Sequence, residues 1–178
     1  MDYLIIDFPP GTSDEPLTVA QNLPDIDGMV IVTTPQDVAL LDSRKSITFA
    51  NSLKVDVIGV IENMSGYTIR GKAPAGAEIE LAAPGGKTVK AQTDSDGNWA
   101  GTLDIFKSGG GEKTANEFNV PFLGKLPFDP GFVRGGDDGV HRIVSEPDGP
   151  SSEAFSKVVA KIQERVESGS TEGGLEII

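Results

Sequence analysis

The sequence predicts an α/β fold in which a doubly wound, mostly parallel sheet carries an inserted antiparallel β-meander. Short, continuously apolar runs are bounded by turn residues, as buried parallel strands are: YLII at 3–6, GMVIVTT at 28–34, DVIGVIENMS, and VPFLGKLP at 120–127. Segments with helical spacing lie between these strands. From Tyr67 to Leu103, by contrast, apolar residues recur at every second position, which is typical of antiparallel strands.

A helix is predicted between the second and third strands. Thr34 can cap it, Pro35 suits its first position, and Asp37 lies three residues after the cap. The helix is expected to run from about Pro35 to Leu53 and to bury one face, formed by Leu40, Ile47 and Ala50.

The chain is predicted to close with a helix over SSEAFSKVVAKIQERV. Its apolar residues have helical spacing: Phe155, Val158, Val159, Ile162 and Val166. The tail at 167–178 is rich in Gly, Ser and Glu, and we expect it to be disordered. The predicted domains are therefore 1–66 with 104–166 for the sheet, 67–103 for the β-meander, and 167–178 for the tail.

The segment 67–103 predicts three antiparallel strands joined by the turns APGGK and DSDGN. A Gly-rich hairpin followed by an Asp-Gly-Asn-Trp turn resembles a fragment of the bacterial immunoglobulin-like repeats of surface adhesins. Calcium binding at DSDGN is the alternative to a tight turn. The EF-hand pattern needs Gly and Glu where Trp99 and Ile105 stand, so the pattern favours the turn.

Composition narrows the function classes. The 27 acidic residues against 15 basic ones give a net charge of -12, which repels phosphate backbones and anionic lipid, so no nucleic acid or membrane partner is expected. The sequence contains no cysteine, which excludes thiolate zinc sites and cysteine-held clusters. Without a leader or a membrane-length apolar run, a soluble, cytoplasmic protein is expected.

The opening DYLIIDFPPGTSDEP is a candidate nucleotide motif. Asp7 follows an apolar strand, where doubly wound folds bind ligands and where phosphate-loop nucleotidases place a magnesium-binding aspartate. Gly11 can bring its backbone N–H close to a phosphate. A cap on the following turn is the structural alternative for Asp7, and the residue pattern leaves both open.

Longer strings carry a resemblance. DYLIIDFPPGTSDEPLTVAQ, GMVIVTTPQDVALLDSRK, VIGVIENMS, GGGEKTANEFNVPFLGKLPFDP and SEPDGPSSEAF together closely resemble the second half of Mrp-type iron–sulfur cluster carrier ATPases, which are relatives of MinD and ParA. The resemblance covers nearly everything outside 67–103 and the tail. It implies a phosphate-loop fold with ATP and Mg²⁺ as cofactors.

The resemblance also assigns roles to individual residues. Asp7 matches the aspartate associated with magnesium, and Gly11 matches the glycine that senses the γ-phosphate. Asn63 matches the asparagine whose amide reads the adenine edge, with a strand-end turn former as the alternative. Pro127 and Phe128 lie in the loop that lines the base pocket. Asp14 follows in the same loop as Gly11, without an assigned role.

Three departures from the family pattern limit the expected activity. The sequence has no G-x-x-x-x-G-K-[ST] loop: KSGGGEKT at 107–114 has Lys107 and Glu112 where glycines belong, and favours a helix start instead. The family's Cys-x-x-Cys pair after ENMS is replaced by the meander, so no iron–sulfur cluster is expected. The family's earlier strands are not in this sequence, so the doubly wound sheet is partial, and a homodimer or a complementing N-terminal half is expected to cover it.

Two functions from different classes follow. The first is a nucleotide-binding remnant of a cluster carrier ATPase, with no catalytic residue of its own and no detectable ATP hydrolysis by this chain alone. The alternative is a non-enzymatic binding or display scaffold, a chimera in which a β-module replaces the cluster loop. A structural partner that dimerises through its sheet edge is a third possibility.

Overall fold

Seven strands and six helices make up the fold in a computed structural model, which describes residues 2–9, 14–23 and 26–172, with side chains to 169. The elements in chain order are α1 (Asp14–Asn22), β1 (Met29–Thr33), α2 (Asp37–Ser52), β2 (Val57–Glu62), β3 (Tyr67–Lys72), β4 (Glu78–Ala83), β5 (Lys87–Gln92), β6 (Asn98–Leu103), α3 (Gly110–Phe118), β7 (Phe122–Lys125), α4 (Pro130–Asp138), α5 (Arg142–Ser145) and α6 (Pro150–Glu172).

A parallel sheet forms the centre, with strand order β1-β2-β7. Every residue of β2 is buried, because helices cover both faces of this strand. One apolar cluster joins the sheet to α2 and α3, and it includes Ile47, Val60 and Ala115. The other joins the opposite face to α6 through Leu123 and Val158. The α/β fold class is therefore confirmed.

Helix α2 buries the expected face, since Leu40, Ile47 and Ala50 are all in the core. Its start differs from the prediction, because the helix begins at Asp37 with Gln36 as the residue before it. Thr34 does not cap the helix: its hydroxyl lies 3.1 Å from Oε1 of Gln36. The hydroxyl that was predicted to cap the helix therefore donates to the Gln36 side chain instead.

The prediction of a buried strand at 3–6 is wrong. Residues 2–9 form no strand, and Ile5 is 91% exposed. The Tyr3 hydroxyl donates to Glu167 on α6 at 3.0 Å, so the segment contacts a helix and not a strand edge. An apolar run becomes a strand only when its backbone groups find partners on a neighbouring strand, and no described strand pairs with this run.

Residues 67–103, called the β-unit below, contain antiparallel strands as predicted, but not a three-stranded meander. Four strands form two ladders, in which β3 pairs with β6 and β4 pairs with β5. The ladders face each other: a Cβ placed on Gly101 of β6 would lie 2.7 Å from Leu81 of β4. Strands β3 and β6 pair with each other, and β6 packs against the β4–β5 hairpin. The alternation of apolar residues does not reveal such a pairing, because the two strands are far apart in sequence.

Helix α6 extends to Glu172, so the prediction of a disordered tail from 167 is wrong for residues 167–172. Val166, the last residue of the predicted helix, packs against the cluster of Leu123 and Val158, and the helix continues six residues beyond it. Residues 173–178 lie outside the described part of the chain. Among the described helices, none combines the length and the apolar character that crossing a membrane requires.

Candidate functional site

Two loops meet at the carboxyl edge of the parallel sheet. Residues 63–66 follow β2 and are called the base loop after the role that the resemblance assigns to Asn63. The β7 loop, residues 126–128, follows β7. Adjacent parallel strands end at the same edge, so their following loops are neighbours. Three backbone hydrogen bonds join the strand ends and loops: Leu126 N–H to Glu62 O at 2.8 Å, Ser65 N–H to Leu126 O at 2.9 Å, and Phe128 N–H to Gly66 O at 2.8 Å.

Asn63 is held at this edge with its amide oriented. Its backbone N–H donates to Thr33 O at 2.7 Å, and its side-chain Oδ1 accepts the N–H of Met64 at 2.9 Å. Met64 has a φ of +55°, a conformation that costs energy for a side chain of this size and that clusters at functional sites. With Oδ1 fixed in this way, both donors of the Asn63 side-chain amide remain available to a ligand.

Phe128 forms an apolar wall beside the base loop. Its ring meets Tyr67 edge-on with centroids 5.7 Å apart and an interplanar angle of 78°, and it meets Phe106 at 6.2 Å and 68°. These are favourable aromatic geometries. Pro127 and Phe128 are both half-buried, so each keeps an accessible apolar surface. The structure therefore brings together three of the predicted site residues, Asn63, Pro127 and Phe128.

Two other predicted residues, Asp7 and Asp14, do not lie in these two loops. Asp7 is exposed in the extended segment 2–9 and does not end a strand. Gly11 lies outside the described residues. Asp14 starts α1 and so belongs to a helix, not to a loop. Among the described side chains, no three acidic or histidine residues lie together as metal ligands would, and the magnesium role of Asp7 stays a prediction.

Glu62 is a residue of the site that the sequence patterns do not single out. Its side chain is 0% exposed and accepts three hydrogen bonds. Oε1 accepts from the Gly109 N–H at 2.9 Å and from the Ser65 hydroxyl at 2.5 Å, and Oε2 accepts from the Gly111 N–H at 2.7 Å. The one sequence signal is a carboxylate that ends a wholly apolar strand, because such a group needs buried partners.

This carboxylate explains the glycine-rich stretch at 107–114. The predicted helix start is confirmed, since α3 begins at Gly110. The N–H groups at a helix N-terminus attract anions, and here Glu62 already accepts two of them. Lys107 is engaged as well, with its ammonium 2.5 Å from Asp37. The stretch therefore serves an internal carboxylate and does not form an open phosphate cradle.

The DSDGN turn is a tight turn, as predicted. The Asp94 carboxylate accepts the backbone N–H of Asn98 at 2.8 Å and that of Asp96 at 2.9 Å. The hydrogen bonds from the Asn98 backbone and side chain, followed by the one from Asp96, hold the pKa of Asp94 below its ordinary value. Its oxygens are thus already committed to the turn.

The chain is similar in sequence to known proteins. The ParA profile described as "NUBPL iron-transfer P-loop NTPase" matches residues 1–94 and 94–163. An iron–sulfur cluster carrier protein of Methanocaldococcus jannaschii is 42% identical over 94% of this chain and 48% of its own length. A cytosolic Fe-S cluster assembly factor NUBP2 homolog of Nematostella vectensis is 37% identical over 96% of this chain and 54% of its own length. The chain thus spans about half the length of the curated relatives it matches.

Solved structures are also similar. A nucleotide-binding protein from Archaeoglobus fulgidus, solved in complex with ADP, is 28% identical with a TM-score of 0.55, covering 87% of this chain and 51% of that one. The cell division ATPase MinD of Pyrococcus furiosus has a TM-score of 0.50 at 17% identity, covering 78% of this chain and 43% of that one, which supports the fold alone.

Proposed function

The chain belongs to the NUBPL family of iron-transfer P-loop NTPases, and from that premise we propose that its 178 residues form the base-binding half of the nucleotide site of an iron–sulfur cluster carrier. The observation that carries the proposal is the pairing of the base loop with the β7 loop. This pairing brings the loop that carries Asn63 beside the loop that carries Pro127 and Phe128.

The chemistry of this surface suits adenine. The Asn63 side chain offers an N–H donor for a ring nitrogen, and its Oδ1 has a second lone pair, beside the one that accepts the Met64 N–H, for an exocyclic amine; this is the pattern of an adenine edge. Guanine carries a carbonyl where adenine carries that amine, so the same amide orientation disfavours it. Pro127 and Phe128 supply the flat apolar contact that a planar base requires.

The described residues include no loop that could bind the phosphates of a nucleotide. We propose that a polypeptide segment outside these 178 residues, a complementing N-terminal half, brings the phosphate loop. Asp7 would then hold Mg²⁺ and Gly11 would lie near the γ-phosphate. A bound Mg²⁺ would supply positive charge against the charge that develops on the phosphates. This chain alone is then a nucleotide-binding remnant without ATP hydrolysis and, lacking cysteine, without an iron–sulfur cluster.

Two exposed apolar surfaces support a complementing segment. Strand β1 is at the edge of the sheet, and Val32 on it is 57% exposed. Segment 3–6 is exposed as well, although its sequence suits a buried strand. Unpaired edges and apolar surfaces of this kind are normally covered by another strand. A homodimer through the same edge is the competing arrangement.

Adenosine is the probe that isolates the proposed half-site, because it has a base but no phosphates. In an NMR titration of the full chain, we expect adenosine to shift the resonances of residues 63–66 and 126–128, and guanosine to bind more weakly. Asn63→Ala should weaken adenosine binding about tenfold, since it removes the paired donor and acceptor. The matched control is Asn116→Ala on the exposed side of α3, and equal losses in both variants would contradict the proposal.

Calorimetry with ATP and Mg²⁺ tests the division of the site. Without a phosphate loop, we expect ATP to bind this chain no more than a few-fold tighter than adenosine, and hydrolysis to be undetectable. Asp7→Ala should leave this weak binding unchanged in the isolated chain. Tight, magnesium-dependent binding that Asp7→Ala abolishes would show that the 178 residues hold a complete phosphate site.

The β-unit supports a second candidate function. Its strands pair only with one another, and the parallel sheet is built from β1, β2 and β7. A unit with its own ladders, immunoglobulin-like in its turns and set where the family has its cluster cysteines, suits a binding module. In this candidate the chain is a non-enzymatic scaffold that displays the β-unit, and deleting 67–103 should leave the parallel sheet folded.

A further inference from the structure

The two stems of the β-unit meet at one buried side chain. The chain leaves the parallel sheet after Glu62 and returns to pack against it at α3, which begins at Gly110, 48 residues later in sequence. At this point Gly109 and Gly111 on the returning stem donate to the Glu62 carboxylate, and Ser65 on the departing stem donates to it as well. Glu62 therefore links the segment that leads into the β-unit to the segment that leads out of it.

A second contact joins the same two stems to the candidate base site. Tyr67 opens β3, Phe106 lies on the returning stem, and both rings pack against Phe128 of the β7 loop. We call the group of Glu62, Tyr67, Phe106 and Phe128 the joint. The members of the joint lie in or contact the base loop, the β7 loop and both stems. A displacement of the stems would therefore also displace the base loop, which carries Asn63.

We propose that Glu62 is the positioning residue of the base site and that the joint couples this site to the β-unit. The inference rests on the proposed function and deepens it. Asn63 directly follows Glu62, and the Glu62 carboxylate also holds Ser65, so one residue fixes both the start of the base loop and its third residue. The Glu62 carbonyl adds a third anchor, because it accepts the N–H of Leu126 in the β7 loop.

The isosteric substitution Glu62→Gln tests whether Glu62 acts through its hydrogen bonds or only by filling space. A carboxylate has two acceptor oxygens, whereas an amide has one and turns an NH₂ group toward the other donors. In Glu62→Gln the side chain therefore loses an acceptor at Gly109 and Ser65 or at Gly111, while its volume is kept. Glu112→Gln on α3 is the matched control, because its carboxylate is half exposed and lies 3.4 Å from Lys125.

Amide hydrogen exchange of the full chain is the first test and needs no ligand. In Glu62→Gln we expect amide exchange at Ser65, Gly109 and Phe128 to be at least about tenfold faster. Exchange in β1 and in the β4–β5 ladder of the β-unit should be unchanged. Glu112→Gln should leave all these rates unchanged. Unaltered rates at the joint, or a uniform acceleration through the whole sheet, would overturn the positioning role.

Adenosine binding is the second test. Glu62→Gln should lower the preference for adenosine over guanosine, because a displaced Asn63 amide no longer matches the adenine edge. Coupling is reciprocal, so adenosine should slow exchange at Gly109 and Gly111 in the wild-type chain. Failure of the wild-type chain to bind adenosine would refute the proposed function, while the exchange rates would still decide the role of Glu62. Binding with unchanged base preference in Glu62→Gln would overturn the inference.

Discussion

Replacing Glu62 by leucine is expected to lower the free energy of unfolding by about 2–4 kcal/mol. The substitution introduces an apolar side chain of similar size and removes the acceptors for the N–H groups of Gly109 and Gly111. Each buried donor left without a partner costs about 1–3 kcal/mol. Part of this loss is offset, because the variant no longer buries a carboxylate.

Urea unfolding followed by far-UV circular dichroism measures this loss as a lower midpoint at constant slope. Glu112→Leu is the matched control, since it removes a half-exposed carboxylate from α3, the helix whose N-terminus contacts Glu62, and its effect should stay within about 0.5 kcal/mol. Equal midpoints for the two variants would mean that water or another acceptor satisfies the N–H groups of Gly109 and Gly111, and the joint would then have no special stability.

The buried parallel strands and the helices that cover them could be predicted from sequence, because their apolar patterns depend on local periodicity. This holds for β1, β2, β7, α2 and most of α6. The strand at 3–6 could not be predicted correctly, because an apolar run becomes a strand only beside a partner. The pairing of β3 with β6 likewise depends on contacts between residues about 30 positions apart.

The candidate site shows the same division. The family resemblance assigns Asn63, Pro127 and Phe128 to one site, and their two loops do adjoin in the structure, because the ends of adjacent parallel strands share one edge of the sheet. Glu62 could not be assigned its role, since its partners Gly109 and Gly111 are 47 and 49 residues away and contribute only backbone N–H groups. A backbone donor leaves no mark in the sequence beyond the glycines that allow its close approach: a Cβ on Gly111 would lie 2.9 Å from Cβ of Glu62.

Gly97→Ala is expected to destabilise the β-unit by about 3 kcal/mol. Gly97 has a φ of +77°, where an alanine costs about 1–2 kcal/mol. Its Cβ would also lie 2.4 Å from the carbonyl oxygen of Ala73, a backbone atom that cannot move aside without breaking the bond from the Ala73 N–H to Gly97 O. Overpacking of this kind adds about 1–3 kcal/mol.

Gly85→Ala provides the matched control, because Gly85 has a φ of +78° and nothing lies within 4 Å of the added methyl group. The difference between the two variants therefore isolates the clash with Ala73. Trp99 is the only tryptophan and packs over Gly71, so its fluorescence reports the β-unit alone. If Gly97→Ala lowers the urea midpoint of this signal while the helical signal at 222 nm keeps its midpoint, the β-unit unfolds as a separate module. If both midpoints fall together, the joint at Glu62 makes the β-unit and the sheet one cooperative unit, and the scaffold candidate loses its basis.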